Sequence, residues 1–223
     1  MKQKVWSSIS EIFTALNNAN CNYIVMRNYE CFKSGNVFVN GHDDIDLLCD
    51  DIEKVRKVLD VRRRFFFPAV DSYCIKYNDL TVHVDIRYVG DGYYDKKWQQ
   101  NMLNSKSLFN GNIYIPNFEN YFYSLIYHAI YQKKSLSEEY LNRLCTMASS
   151  LNICCRTEKD LLIELKKYMQ KYDYRASYTK DPAIILNFYD LQDYEIEKKK
   201  SWMLRREILN ILKHYKKIGD KYV

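Results

Sequence analysis

Two segments of this 223-residue chain constrain its fold more than any others: Asp44-Ile45-Asp46-Leu47-Leu48, preceded by Gly41-His42-Asp43, and Thr81-Val82-His83-Val84-Asp85-Ile86-Arg87. Each reads as a strand in which apolar and polar side chains alternate. Successive side chains of a strand point to opposite faces, so Ile45 and Leu47 share one face while Asp44 and Asp46 share the other. By the same rule Val82, Val84 and Ile86 form the core face of the second strand, and His83, Asp85 and Arg87 point the other way. If the two strands lie side by side, three carboxylates meet. Such a cluster repels itself unless something cationic sits among its oxygens. Hard oxygen ligands of this kind suit Mg²⁺ or Mn²⁺, and a metal held by carboxylates with positions left open suits phosphoryl chemistry.

The flanking pattern predicts an α+β fold. Ser8-x-x-Glu11 is a capping-box pattern that opens a helix with Ile9, Ile12, Phe13 and Leu16 on one side, and a strand over about 22–26 follows. Residues 31–42 read as a loop or short hairpin, and 51–59 as a helix. Strands are expected over 62–69, 72–77 and 80–89, antiparallel because their connections are too short for crossover helices. Asn110-Gly111 marks a hairpin ending at Pro116. Beyond Pro116 the periodicity turns helical. Asn117 is the expected N-cap of a helix through Lys133, followed by helices over 137–151, 157–171 and about 191–217. The resulting division is a catalytic domain over 1–116, with a mixed sheet and flanking helices, and a helical domain over 117–223.

The helix, strand, Asp-apolar-Asp strand and later single-Asp strand resemble the nucleotidyltransferase superfamily with the DNA polymerase β-type palm. Tyr23-Ile-Val-Met-Arg-Asn-Tyr-Glu30 followed by Asp44-Ile-Asp46 resembles, more particularly, a bacterial nucleotidyltransferase family associated with surface-polysaccharide assembly. The resemblance covers roughly residues 5–130. It implies Asp44 and Asp46 as paired Mg²⁺ or Mn²⁺ ligands, Asp85 as the third carboxylate, a nucleotide donor and a sugar or glycan acceptor. Where the superfamily has Gly-Ser or Gly-Gly after the first strand, this chain has Arg27-Asn28. The donor is then a nucleoside triphosphate or a nucleotide-activated alditol or choline. Two alternatives remain: a toxin-like nucleotidyltransferase acting on RNA or protein, and a non-catalytic binding module of the same fold.

Several residues around the aspartates have paired readings. Arg27 and Asn28 end the first strand, where they bind phosphate or cap the strand in solvent; the planar guanidinium fork favours phosphate. Glu30 neutralises Arg27 or lies in the loop. His42 and His83 bring acid–base chemistry within reach. His83, on the face of Asp85, orients a ligand from behind the metal-binding residues or is satisfied by a neighbour. Arg87 binds phosphate or pairs with the acidic cluster. His128 and Lys133 are candidates for the nucleotide or acceptor pocket, whereas Tyr127 and Tyr131 read as core.

Charge and cysteine content narrow the setting. Residues 195–223 hold nine Lys or Arg against four Asp or Glu, most of the formal net charge of +6. Lys198-Lys199-Lys200, Arg205-Arg206, Lys213 and Lys216-Lys217 interleave with Trp202, Leu204, Ile208, Ile211 and Leu212 as a basic amphipathic helix. Its readings are an anionic membrane surface, an anionic glycan, nucleic acid, or simple coverage of the core. The seven cysteines show no C-x-x-C pairing, so neither zinc nor a disulfide framework is expected. No stretch approaches a membrane span and no signal-peptide pattern opens the chain, so the expectation is a cytoplasmic protein, either free or peripheral to a membrane.

Overall fold

The computed structural model describes residues 3–33, 44–64, 72–133, 135–187 and 196–219. Its centre is a mixed sheet. The strands are β1 (Val5–Trp6), β2 (Tyr23–Val25), β3 (Asp44–Cys49), β4 (Arg62–Arg63), β5 (Ser72–Tyr77) and β6 (Leu80–Tyr88), in the order β1-β5-β6-β3-β2 with β4 paired to β5. β3 runs parallel to β6 and β1 parallel to β5, and the other pairs are antiparallel. Asn78, at a positive φ of 49°, makes the tight β5–β6 turn, as the short connection requires. The sheet's apolar face is set by alternation: Ile45, Leu47, Val82, Val84 and Ile86 are all buried.

Helices α1 (Ile9–Asn18) and α2 (Ile52–Leu59) pack against each other beside this sheet. Ser8 caps α1 by accepting from the Glu11 amide, while the Glu11 carboxylate takes the amide and hydroxyl of Ser7, one residue before the expected partner. The predicted hairpin is present as β7 (Ser107–Phe109) and β8 (Ile113–Ile115), with Asn110 and Gly111 both at positive φ. Then come α4 (Phe118–Tyr131), α5 (Glu138–Ser150), α6 (Glu158–Lys171) and α7 (Ile196–Gly219). Asn117, Ser137 and Thr157 cap α4, α5 and α6 by accepting from backbone amides. Buried side chains from both sides of Pro116 belong to one contiguous cluster. Tyr127 and Tyr131 lie inside it, with ring centroids 5.0 Å apart.

Four expectations differ from the described structure or lie partly outside it. β1 and a helix α3 (Lys96–Asn104) were not anticipated. α3 is short, but Asp95 caps it and Trp98, Met102 and Leu103 bury its inner face. The strand expected over 62–69 is seen only as Arg62–Arg63, and 65–71 lie outside the described residues. The helix from Asn117 stops at Tyr131 with Gln132 as its C-cap, so Lys133 lies in the connection to α5. The loop predicted over 31–42 begins instead as a single 3-10 turn, Tyr29–Lys33; the rest of it, His42 included, is outside the described residues. No described helix is long and apolar enough to cross a membrane.

Candidate active site

The parallel pairing of β3 with β6 builds the site. Its register puts Asp44 opposite His83 and Asp46 opposite Asp85, so the polar faces of both strands coincide. One carboxylate oxygen from each of Asp44, Asp46 and Asp85 lies within 4.8 Å of the others. Asp46 is 2% exposed, and Asp44 and Asp85 are half-buried. Burial pushes the Asp46 carboxyl up from the ordinary carboxylate range, Arg27 opposes this, and the charges of Asp44 and Asp85 add to it.

Arg27 supplies the only full countercharge to Asp46 among the described residues. Hydrogen bonding of Met26 N–H to the Asp46 carbonyl extends the β2–β3 ladder one residue beyond β2 and brings Arg27 over the aspartates. Its Nε and Nη2 donate to the two Asp46 oxygens at 2.7 and 2.5 Å, and Nη1 donates to the Tyr93 hydroxyl at 2.9 Å. The planar fork thus spends all its nitrogens on protein partners. With this carboxylate beside it, and despite burial, the guanidinium is held even more firmly in its charged form.

Tyr93 is placed by a turn just after β6. The buried Asp91 carboxylate accepts from the Tyr93 amide at 2.8 Å and from Gln99 Nε2 of α3 at 2.7 Å. Gly92 has a φ of +79°, and a Cβ there would lie 2.9 Å from the Tyr178 carbonyl oxygen, so only glycine fits this turn without strain. The Tyr93 hydroxyl lies 3.2 Å from His128 Nδ1, which is also 3.2 Å from Gln132 Oε1.

His128 is held neutral: burial, and then the nearby Arg27 charge, push its pKa well below that of free histidine. The unfolded chain therefore takes up this proton first, at about pH 6.5. The stability contributed by neutral His128 is present above that pH and is lost as pH falls. Denaturant titrations between pH 7.5 and 5 should show the wild type losing up to about 1.4 kcal/mol more per pH unit below 6.5 than His128→Asn. Parallel curves would contradict the buried neutral histidine.

These groups line a cavity of about 570 Å³. Its walls include Arg27, Asn28, the three aspartates, Arg87, Tyr93, His128 and Lys133, together with Ser137, Glu139, Tyr140 and Arg143 from the start of α5. Ile184 closes one side. The structure therefore brings Asp44, Asp46, Asp85, Arg27, Asn28, Arg87, His128 and Lys133 to one cavity, and His83 is not among its lining residues.

Two expected pairings differ. Arg87 neither reaches the acidic cluster nor offers a fork to solvent. It is buried, and its Nη1 donates to Asp181 Oδ2 at 2.6 Å, an attraction that holds the guanidinium charged in spite of burial. Glu30 pairs with Arg143 at 3.1 Å and accepts from the Tyr121 hydroxyl at 2.7 Å, leaving Arg27 to Asp46. Lys133 makes no ion pair among the described residues; its Nζ lies 4.9 Å from the Tyr140 ring centroid. Sequence reasoning missed Tyr93, Tyr140, Arg143 and Asp181. Only Tyr140 and Arg143 left a signal, as an i,i+3 pair on one face of a predicted helix.

The donor set fits a hard divalent cation. It consists of carboxylate oxygens from two adjacent strands, more negative in sum than Arg27 neutralises, beside open space. No protein-family model and no curated protein matches the chain. Among solved structures it is similar to the antibiotic-resistance factor ANT(2'')-Ia in solution, at 12% identity over 74% of this chain and 91% of that one, with a TM-score of 0.41. A crystal structure of ANT(2'')-Ia in complex with adenylyl-2''-tobramycin gives 13% identity, 74% and 96% coverage, and a TM-score of 0.42. An antigenic nucleotidyltransferase-like protein from Paracoccidioides brasiliensis gives 17% identity, 74% and 87% coverage, and a TM-score of 0.45.

Proposed function

We propose that this protein is a metal-dependent transferase that moves a nucleotidyl or phospho group from a nucleotide or nucleotide-activated donor to a hydroxyl of a sugar or glycan acceptor. The observation that carries this reading is the convergence of Asp44, Asp46 and Asp85 at the edge of an open cavity. Asp44, Asp46 and Asp85 would hold Mg²⁺ or Mn²⁺. When bound, such an ion neutralises charge that develops on the entering and leaving oxygens. In the transfer, a bond forms between the acceptor oxygen and phosphorus, the hydroxyl proton passes to a carboxylate of the site, and the bond from phosphorus to the donor's leaving oxygen breaks.

The chain's own side chains supply the remainder. Lys133 and Arg143, on the side of the cavity formed by the start of α5, attract donor phosphates, and Asn28 offers an amide beside them. Arg27 has two tasks in this scheme. It guards the Asp46 carboxylate before the ligands arrive and presents its fork to a donor phosphate once Asp46 is engaged. His128, neutral and tied to Tyr93, keeps that wall of the cavity fixed. All seven cysteines are free thiols, in keeping with a reducing compartment such as the cytoplasm.

Thermal stabilisation tests the reading, because a ligand that binds only the folded state raises its apparent stability. Mn²⁺ together with the correct donor should raise Tm more than either alone. Among nucleoside triphosphates and CDP-linked alcohols, the series that shows this synergy identifies the donor class. The absence of a shift with any metal and donor combination would sink the proposal.

A further inference from the structure

α7 carries two different apolar faces. One is latched to the body: Trp202 and Leu209 are both 3% exposed, Trp202 Nε1 donates to the Asp181 carbonyl at 3.2 Å, and Arg206 Nη1 donates to the Ile184 carbonyl at 2.9 Å. The other is open. Leu204, Ile208, Ile211 and Leu212 recur at helical spacing, and all four are exposed, Leu204 at 60% and Ile211 at 55%. From Asn210 to His214 every residue is exposed. A helix of this kind gains little stability from propensity alone and ordinarily depends on packing of its apolar face.

Charge says what covers that face. Ile196–Gly219 holds eight Lys or Arg and two Glu, a net of six, and six is also the formal net charge of the whole chain. The remainder of the protein is therefore electrically balanced, and its basic character belongs to this one helix. Pairing two copies through α7 would press like charges together. Nucleic acid would satisfy the charge but has no use for four exposed Leu and Ile side chains. A surface that is both negative and apolar beneath matches both features, and a helix with basic residues around an apolar stripe lies in the plane of such an interface.

We infer that α7 docks the protein on an anionic lipid surface, with Leu204, Ile208, Ile211 and Leu212 entering the interface and the flanking lysines meeting lipid headgroups. The latch has a consequence for the site. The segment that Trp202 and Arg206 grip contains Asp181, the partner of Arg87, and Ile184, a wall of the active-site cavity. The docking itself does not depend on the catalytic reading.

Flotation of the full chain with vesicles tests this. The protein should bind vesicles of equal parts phosphatidylglycerol and phosphatidylcholine, and should not bind phosphatidylcholine alone. Binding should weaken as salt rises from low values past about 0.15 M, where screening shortens to about 8 Å. Leu204→Glu with Ile211→Glu should abolish it at unchanged Tm, since both positions are exposed. Lys213→Gln, Lys216→Gln and Lys217→Gln together should weaken it on the order of a hundredfold, at roughly fivefold per basic residue. The inference is overturned if anionic vesicles are not bound, or are bound equally well by the double glutamate variant. It is also overturned if that variant instead dissolves a dimer of the wild type, or if oligonucleotides bind the wild type and the double variant alike while vesicles do not.

Discussion

Asp85→Asn and Asp44→Asn should each abolish metal-dependent transfer, by at least about a thousandfold, while leaving Tm within about a degree of wild type. The loss corresponds to roughly 4 kcal/mol of transition-state stabilisation, the scale on which a misplaced metal acts. The fold survives because both carboxylates are half-buried and neither forms an ion pair among the described residues. Asp46→Asn departs from this pattern. Sequence alone predicts that it too leaves folding nearly unchanged, but the bidentate bond with Arg27 makes Asp46 part of the structure as well as of the site. Arg27 is only 12% exposed, so the substitution leaves a largely buried guanidinium without its carboxylate. Breaking a buried pair from one side costs on the order of 3 to 5 kcal/mol. Denaturant unfolding in EDTA should therefore separate Asp46→Asn from the other two. Equal stability of all three variants would show that the Arg27 pair contributes nothing.

Arg27 gives the second large effect, and its two substitutions separate its two tasks. Arg27→Gln leaves Asp46 buried beside two further carboxylates, so in EDTA the variant should lose stability on the same scale of about 3 to 5 kcal/mol. Added Mn²⁺ should then restore Tm more in the variant than it raises Tm in the wild type, because the cation replaces the missing countercharge. Arg27→Lys keeps the charge and loses the fork. It should cost donor affinity on the order of 1 to 3 kcal/mol, the range of charge-assisted hydrogen bonds. Titration with nucleoside triphosphates and with CDP-linked alcohols would show the loss in one series. Unchanged binding in both would leave Arg27 as a purely structural partner of Asp46.

What could be read from the sequence was what short-range periodicity encodes. Alternation around Asp44, Asp46 and Asp85 fixes which way each carboxylate points, and parallel pairing of β3 with β6 brings them together as that alternation requires. The caps of α1 and α4 were legible for the same reason: a Ser or Asn before an apolar stripe announces itself locally. The partners of the arginines were not. Arg87 meets Asp181 and Arg143 meets Glu30 across 94 and 113 residues of chain, and no local pattern states which of several carboxylates a buried cation will find. Tyr93 was hidden similarly, because its position depends on a turn held by Asp91, Gln99 and the close approach of Gly92 to Tyr178. β1, at two residues, is too short to show a period.

The central claim is that Asp44, Asp46 and Asp85 jointly hold a divalent cation. Crystals of the full chain grown with Mn²⁺ test it most directly, since anomalous scattering locates the ion without reference to activity. The account predicts a peak among the carboxylate oxygens of Asp44, Asp46 and Asp85 in the wild type and its loss in Asp85→Asn crystals grown identically. A peak confined to another part of the molecule, or none at saturating Mn²⁺ with donor present, would contradict it.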